Sequence, residues 1–315
     1  MKESLIVTTA DDLHGLSIQA AVRRRGLECH IVESDRMTGV ESLSMSISTE
    51  SVTATTLLTS ERKILEISSV GAIWWRRPKA LQQIEATGLD AHQIGLINND
   101  CSAALVGSLE NSFTGKWISS PRATEFASNK LNQLAVAQRS KFRIPDTLVT
   151  QNPGEVLEFY NRHRGQIIVK PVVGTRGPLL FTQMVRDDHL NAPDSIRACP
   201  ATYQEFIPGN RHIRLNCFGD RSFAFIIESA ELDWRPDLKV PISSWTVPGD
   251  LHGKIRAVLE ALNLEMGIFD LKETPEGEIV WLEVNPQGQF LFLEGLTGEP
   301  LTESFADFLI SNVPC

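Results

Sequence analysis

The chain has 315 residues, enough for two or three packed subdomains, and its 42% hydrophobic and 22% charged residues are the composition of a soluble globular protein. A net charge of -9 argues against a general nucleic-acid binder, and no apolar run approaches the length that spans a bilayer. Cys29, Cys101, Cys199, Cys217 and Cys315 are scattered with no pair at metal-ligand spacing, which predicts free thiols. The first residues lack the basic and apolar regions of a signal peptide, so cytoplasm is the expected location.

Residues 4–9, Ser-Leu-Ile-Val-Thr-Thr, predict a buried strand. Asp11 and Asp12 then lead into an amphipathic helix through Leu16, Ala20 and Val22 that ends at Gly26. Cys29–Val32 predicts a second strand, and such a start implies a right-handed crossover and a parallel sheet. His14 and His30 read as ordinary surface or sheet residues. Residues 42–70, rich in Ser and Thr, alternate as exposed antiparallel strands do, and Val70–Trp75 returns to a buried strand. It runs into Trp74-Trp75-Arg76-Arg77-Pro78, where two aromatics and two guanidiniums suit either a grip on an anionic or peptide partner or a strand end with its charges in solvent. Residues 91–111 predict a helix.

Trp117–Pro121 predicts a short strand leaving the first domain, and Asn129-Lys130-Leu131 starts a helix. Gln166–Pro171 predicts a strand bearing Lys170, followed by the glycine-bearing loop Val173–Pro178 and a returning strand over Leu179–Thr182. Thr202–Ile207 and His212–Phe218 predict further strands, the latter turning at Gly219-Asp220 into Ser222–Ile227. A helix with Ile255, Val258, Leu259 and Leu262 on one stripe and a closing helix over residues 300–310 complete the pattern, with a loop between Phe290 and Glu294.

Met266 to Gln289 predicts a hairpin about Thr274-Pro275-Glu276-Gly277. Alternation puts Glu283 and Asn285 on one face, and folding sets Asp270 opposite Glu283. The other face carries Phe269, Leu271, Val280, Leu282 and Val284, which suits a core. Two carboxylates and an amide oxygen on a rigid hairpin suit Mg²⁺ on a nucleotide, although the same spacing also fits a solvated acidic face.

Leu282-Glu283-Val284-Asn285-Pro286 resembles the L-E-x-N-P signature of the ATP-grasp superfamily, whose acidic residue and asparagine bind magnesium, and Asp270 matches that family's first acidic ligand. Lys130 and Lys170, 40 residues apart and followed by a glycine-bearing hairpin, resemble its central lobe. Trp74–Pro78 is similar to the W-x-R-R-P segment, and Asp233-Trp234-Arg235 to the D-W-R segment, of the graspetide (microviridin-type) peptide ligases within that superfamily.

The resemblance implies an α/β, ATP-grasp fold of three α/β subdomains. These are an N-terminal parallel-sheet domain over 1–115, a central lobe over 116–203 and a C-terminal lobe with the metal site over 204–315, with ATP between the last two. It implies that Lys130 and Lys170 face the α- and β-phosphates, and that the backbone of Gly174, Thr175 and Gly177 covers them. Gln204, Glu205, Phe206 and Ile207 would meet the adenine, and Asp270, Glu283 and Asn285 would hold Mg²⁺. Arg214 would approach the transferred phosphate, Arg235 would hold a substrate carboxylate, and Arg76 and Arg77 would dock the peptide. His212 stands where relatives usually carry an aspartate.

The implied activity is an ADP-forming carboxylate–amine/hydroxyl ligase working through an acyl phosphate. Its expected substrate is a ribosomally made precursor peptide, in which Asp or Glu side chains are joined to Thr, Ser or Lys side chains. No convincing Ser/His/Asp or Cys/His set is present, in keeping with chemistry that rests on positioning and charge neutralisation. A ligase adding an amino acid to a small molecule or protein terminus, and a non-catalytic nucleotide-binding interaction protein, are the alternatives. Expected partners are the peptide and a second copy of the chain in a homodimer, with neither nucleic acid nor membrane.

Overall fold

The computed structural model describes residues 2–53, 55–84, 88–172, 182–235 and 239–314. Near the N-terminus, β1 (Glu3–Thr8), α1 (Leu13–Arg24) and β2 (Cys29–Glu33) form the expected β-α-β unit. A three-stranded antiparallel sheet of β3 (Leu43–Ser44), β4 (Thr56–Leu58) and β5 (Ile64–Glu66) follows, then β6 (Val70–Trp75), α2 (Ala91–Ser112) and β7 (Lys116–Ile118). The first sheet is parallel in the order β2-β1-β6-β7. Leu5, Ile6 and Val7 have no exposed surface, as expected of a parallel strand covered on both faces.

Helix α1 starts where Asp12 accepts a hydrogen bond from the Gly15 N–H at 3.2 Å, a side-chain cap on one of the free N–H groups of the first turn. Its buried stripe is His14, Ile18, Ala21 and Val22, whereas Leu16 and Ala20 are exposed. That corrects the expected face and moves His14 from the surface into the interior.

The middle of the chain contributes α3 (Pro121–Ser128), α4 (Lys130–Arg139), β8 (Thr147–Thr150), α5 (Pro153–Arg162) and β9 (Ile167–Pro171). It continues with β10 (Gln183–Met184), α6 (Asp187–Leu190), α7 (Pro193–Ala198) and β11 (Ala201–Glu205). Its strands form an antiparallel sheet in the order β10-β9-β11-β8. The remainder is β12 (Arg211–Phe218), β13 (Arg221–Glu228), β14 (Ile242–Trp245), α8 (Gly249–Ala261), β15 (Met266–Glu273), β16 (Ile279–Asn285), α9 (Leu291–Thr297) and α10 (Leu301–Ser311). The strands make an antiparallel sheet in the order β14-β13-β12-β15-β16. Helix α9 occupies part of the stretch expected as a loop.

The two faces of this last sheet differ, and the difference places the site. One face buries Ile213, Leu215, Phe269, Leu271, Trp281 and Val284 under α3, α4 and α8. Each large apolar side chain buried there contributes about 1.5–3 kcal/mol against leaving it in water. The opposite face is divided along its length. Phe218, Met266 and Ile268 pack with Phe290, Phe305 of α10, and Ile6, Ile18 and Trp74 of the N-terminal unit. At the other end the same face carries His212, Arg214, Asp270 and Lys272, and there it meets β9 and β11 across a cleft.

Asp270 pairs with Glu283 as the sequence predicts. The next pair is Leu271 with Trp281, so Leu282 is an extra residue, a β-bulge that reverses the alternation beyond it. Trp281 therefore enters the core, and Leu282, expected there, lines the cleft. Val280 is buried beside its partner Lys272.

Candidate active site

The cleft collects side chains from four parts of the chain. Lys130 comes from the first turn of α4, Lys170 and Ile168 from β9, the stretch Gln204–Ile207 from the end of β11, and the polar half-face from β12, β15 and β16. Alternation along β12 and β15 sets the sequence of groups: Arg214 and Asp270 form one cross-strand pair, and His212 and Lys272 the next, nearer Gln204–Ile207.

Asp270 is gripped by Arg214, whose Nη1 donates to both carboxylate oxygens at 2.7 Å. Glu283 is 2.9 Å from the Lys130 ammonium. The Asn285 amide bridges the two carboxylates, donating to Asp270 Oδ2 at 3.1 Å and to Glu283 Oε1 at 3.2 Å. Burial, the largest influence, pushes the Asp270 carboxyl up, and with the negative charge of Glu283 it outweighs the downward pull of Arg214. Burial also pushes Glu283 up, but Lys130, Lys170 and the Asn285 amide draw it down to about 2.

Among the described residues, no group of three or more His, Cys, Asp or Glu side chains is placed to hold a metal ion. The two carboxylates suit a hard cation that takes its other ligands from phosphate and water, and Asn285, whose amide nitrogen faces them here, would offer its oxygen with the amide turned over. Neutralising charge already stands around them, supplied by Lys130 and Arg214.

Lys170 is held down to about 8, first by burial and then by the charge of Lys130. Gln204 donates to the Thr147 hydroxyl at 2.8 Å. Glu205 accepts from Arg143 at 2.6 Å and from the Asp146 N–H at 3.1 Å, so its carboxylate is held against the neighbouring segment. Arg235 lies on the rim with its guanidinium on Asp233, while Trp234 packs 6.0 Å from Phe292, ring centre to ring centre. Arg235 is thus anchored by Asp233.

Three further groups line the cleft beside the residues expected there: Lys272, His212 and Asp233. Lys272 is buried with its ammonium 5.5 Å from the Phe206 ring centre. His212 is buried with an Nε2 that has no hydrogen-bond partner among the described residues, and burial holds it down to about 4. Asp233, in the D-W-R segment, holds the Arg235 guanidinium. The period of two from Asp270 already points to Lys272.

Two sequence candidates lie elsewhere. Arg76 has no exposed surface, and its Nη1 donates to the carbonyls of Gln287 and of Gly288, the latter at 3.0 Å. It is not free to dock a peptide, because its guanidinium is enclosed and held on those carbonyls. Arg77, one residue on, is exposed. Gly174, Thr175 and Gly177 lie outside the described residues.

No protein-family model matches the chain, and no curated protein matches it. Solved structures do. A Chryseobacterium gregarium RiPP-associated ATP-grasp ligase, in complex with ADP and a leader and core peptide, is 27% identical with a TM-score of 0.88, covering 100% of this chain and 98% of that one. The macrocyclase MdnC from Microcystis aeruginosa MRC, bound with precursor peptide MdnA, is 24% identical with a TM-score of 0.86, covering 98% of this chain and 99% of its own. The macrocyclase MdnB from the same organism is 25% identical with a TM-score of 0.83 and the same coverage, 98% and 99%. The chain has the ATP-grasp fold, in the form carried by the RiPP-associated ATP-grasp ligases.

Proposed function

We propose that the chain is an ADP-forming ligase that activates a carboxylate with ATP and passes it to a hydroxyl or amine, forming side-chain ester or amide links in a ribosomally made precursor peptide. The observation that carries this reading is the convergence of Asp270, Glu283 and Asn285 with Lys130, Lys170 and Arg214 in one cleft, with Arg235 on its rim. The likeness over the whole chain to a ligase solved with ADP and a leader and core peptide, and to a macrocyclase solved with its precursor peptide, supports it.

In this reading Gln204–Ile207 receive the adenine, and Lys130 and Lys170 lie along the phosphates. Asp270, Glu283 and Asn285 would hold Mg²⁺, which when bound neutralises charge on the triphosphate. The substrate carboxylate oxygen attacks the γ-phosphorus and ADP leaves. The acceptor hydroxyl or amine then attacks the acyl carbon, loses its proton and displaces phosphate. Arg214 stabilises charge on the transferred group, and Arg235 orients the carboxylate. Arg77 remains the docking candidate, with Arg76 withdrawn from that role by its burial.

The three-lobe division at 115 and 203, a homodimer, a cytoplasmic location and the lack of nucleic-acid or membrane partners are parts of the same proposal. No helix among the described residues is long and apolar enough to cross a membrane.

ADP release with and without peptides rich in Thr, Asp and Glu tests the reading, together with mass spectrometry for loss of one water per bond. ADP release driven only by free amino acids would favour the amino-acid ligase. Nucleotide binding without any ADP release would favour the non-catalytic alternative.

A further inference from the structure

Beyond Asn285 the chain passes through five residues whose main-chain polar groups are taken by three side chains remote in sequence. The carbonyls of Gln287 and Gly288 accept from Arg76 Nη1. The carbonyl of Gln289 accepts from Arg214 Nη2 at 3.0 Å. The N–H groups of Phe290 and Leu291 donate to His14 Nε2 at 2.9 and 3.2 Å. The Gln287 side chain adds a bond to the Trp75 carbonyl at 3.1 Å. The turn itself is closed by the Gly288 N–H on the Asn285 carbonyl at 3.2 Å. It presses so closely on β15 that a Cβ at Gly288 would stand 2.5 Å from Ile268 Cγ1.

Arg76 is a costly way to hold two carbonyls. Its guanidinium is fully buried, Nε and Nη2 have no hydrogen-bond partner among the described residues, and its counter-charge, Asp12 Oδ2, is 3.5 Å from Nε. An arrangement like this is weak evidence for stability, since apolar replacement of a buried ion pair is often neutral or stabilising. Its effect is local. The segment Arg76 holds begins at Asn285 and ends at the carbonyl held by Arg214, and Arg214 also grips Asp270.

We propose that Arg76 is a positioning residue for the divalent-cation site, acting with His14 and Asp12 from the N-terminal unit to fix the turn that aims Asn285 and Arg214. This rests on the nucleotide-and-metal reading above. The N-terminal sheet then shapes the cation site although none of its described side chains lines the cleft. His14 serves as an acceptor in its neutral form, with Nδ1 3.9 Å from Asp12 Oδ1.

The test is Mn²⁺ affinity, read by electron paramagnetic resonance, of the full chain loaded with a non-hydrolysable ATP analogue. Arg76→Met should weaken Mn²⁺ binding by about tenfold or more, the usual scale for losing a group that orients metal ligands, with metal-free nucleotide affinity unchanged. Arg76→Lys should restore most of the loss, because Nη1 alone serves both carbonyls. Wild-type Mn²⁺ affinity in folded Arg76→Met would overturn the proposal. If that variant does not fold, His14→Ala decides by the same measurement. Failure of both to fold would assign the pair to holding the domains together and would also overturn it. A wild-type protein that binds the analogue but no Mn²⁺ would remove the functional reading itself, a result distinct from an unaltered variant.

Discussion

Lys170 gives the sharpest test of the cleft. Burial and the Lys130 charge hold its ammonium down to about 8, well below the ordinary 10.5. A bound triphosphate adds negative charge beside it and returns its pKa toward the ordinary value. Nucleotide binding must therefore take up a proton wherever the free protein has lost one. At pH ~8.5 a group titrating at 8 is about one-quarter protonated, so binding should take up about three-quarters of a proton, against about one-tenth at pH ~7. Calorimetry of a non-hydrolysable ATP analogue in buffers of different ionisation heat measures this directly. Affinity should fall above pH ~8 in the wild type, since charge at Lys170 is then supplied at a cost. Lys170→Met should bind more weakly at neutral pH and lose the proton uptake at pH ~8.5. Uptake that is absent in the wild type, or that persists in Lys170→Met, would remove Lys170 from the phosphate site.

Three further predictions follow from the same geometry. Glu283→Gln should abolish phosphoryl transfer while a thermal melt shows an intact fold, because a charged cation ligand is lost from a cleft rather than from the core; normal turnover would refute that role. Arg235→Ala should lower turnover strongly with ATP affinity near normal, since its anchor Asp233 holds it on the rim; unchanged single-turnover rates would count against it. Burial holds His14 down to about 3 and His212 to about 4, against 6.5 ordinarily, so the unfolded chain binds protons that the folded chain does not. Their contribution is present in full above pH ~6.5 and is lost as pH falls toward 4, at roughly 1 kcal/mol per group per pH unit. Urea unfolding between pH ~7 and ~5 measures it, His212→Gln should reduce the slope, and a flat profile would contradict the burial argument.

The hairpin was legible because a period of two and a tight turn together fix which side chains meet. Asp270 does face Glu283, and Phe269, Leu271 and Val284 do face the core. The exchange of Leu282 for Trp281 was not legible, since a bulge adds a residue without a compositional mark. The burial of Arg76 is not legible in the strand pattern: Trp74 and Trp75 are both buried, yet Arg76 continues inward and Arg77 does not, and only the packing against Gln287 and Gly288 separates them. His14 was hidden by a helix stripe drawn through Leu16 and Ala20, whereas His14, Ile18, Ala21 and Val22 follow the helical period on the buried side. The lysines were found by family likeness, not by periodicity, because their meeting depends on a helix start and a strand brought together by the whole fold.

Helices α1 and α10 lie in one apolar cluster, Ile18, Ala21 and Val22 of the first with Leu301, Phe305 and Leu309 of the second. Arg25, which caps the C-terminus of α1, is joined to Glu303 and Asp307, the latter 282 residues further along. On a ribosome adding about 5–20 residues per second, α1 waits roughly 15 seconds to a minute for the surface that covers it. The first sheet to be made is thus among the last parts to be finished, and its apolar side stays open to chaperones and to neighbouring nascent chains until then. A fragment ending near residue 118 should accordingly be sticky and poorly soluble when produced alone, and sedimentation of that fragment beside the full chain would reveal it.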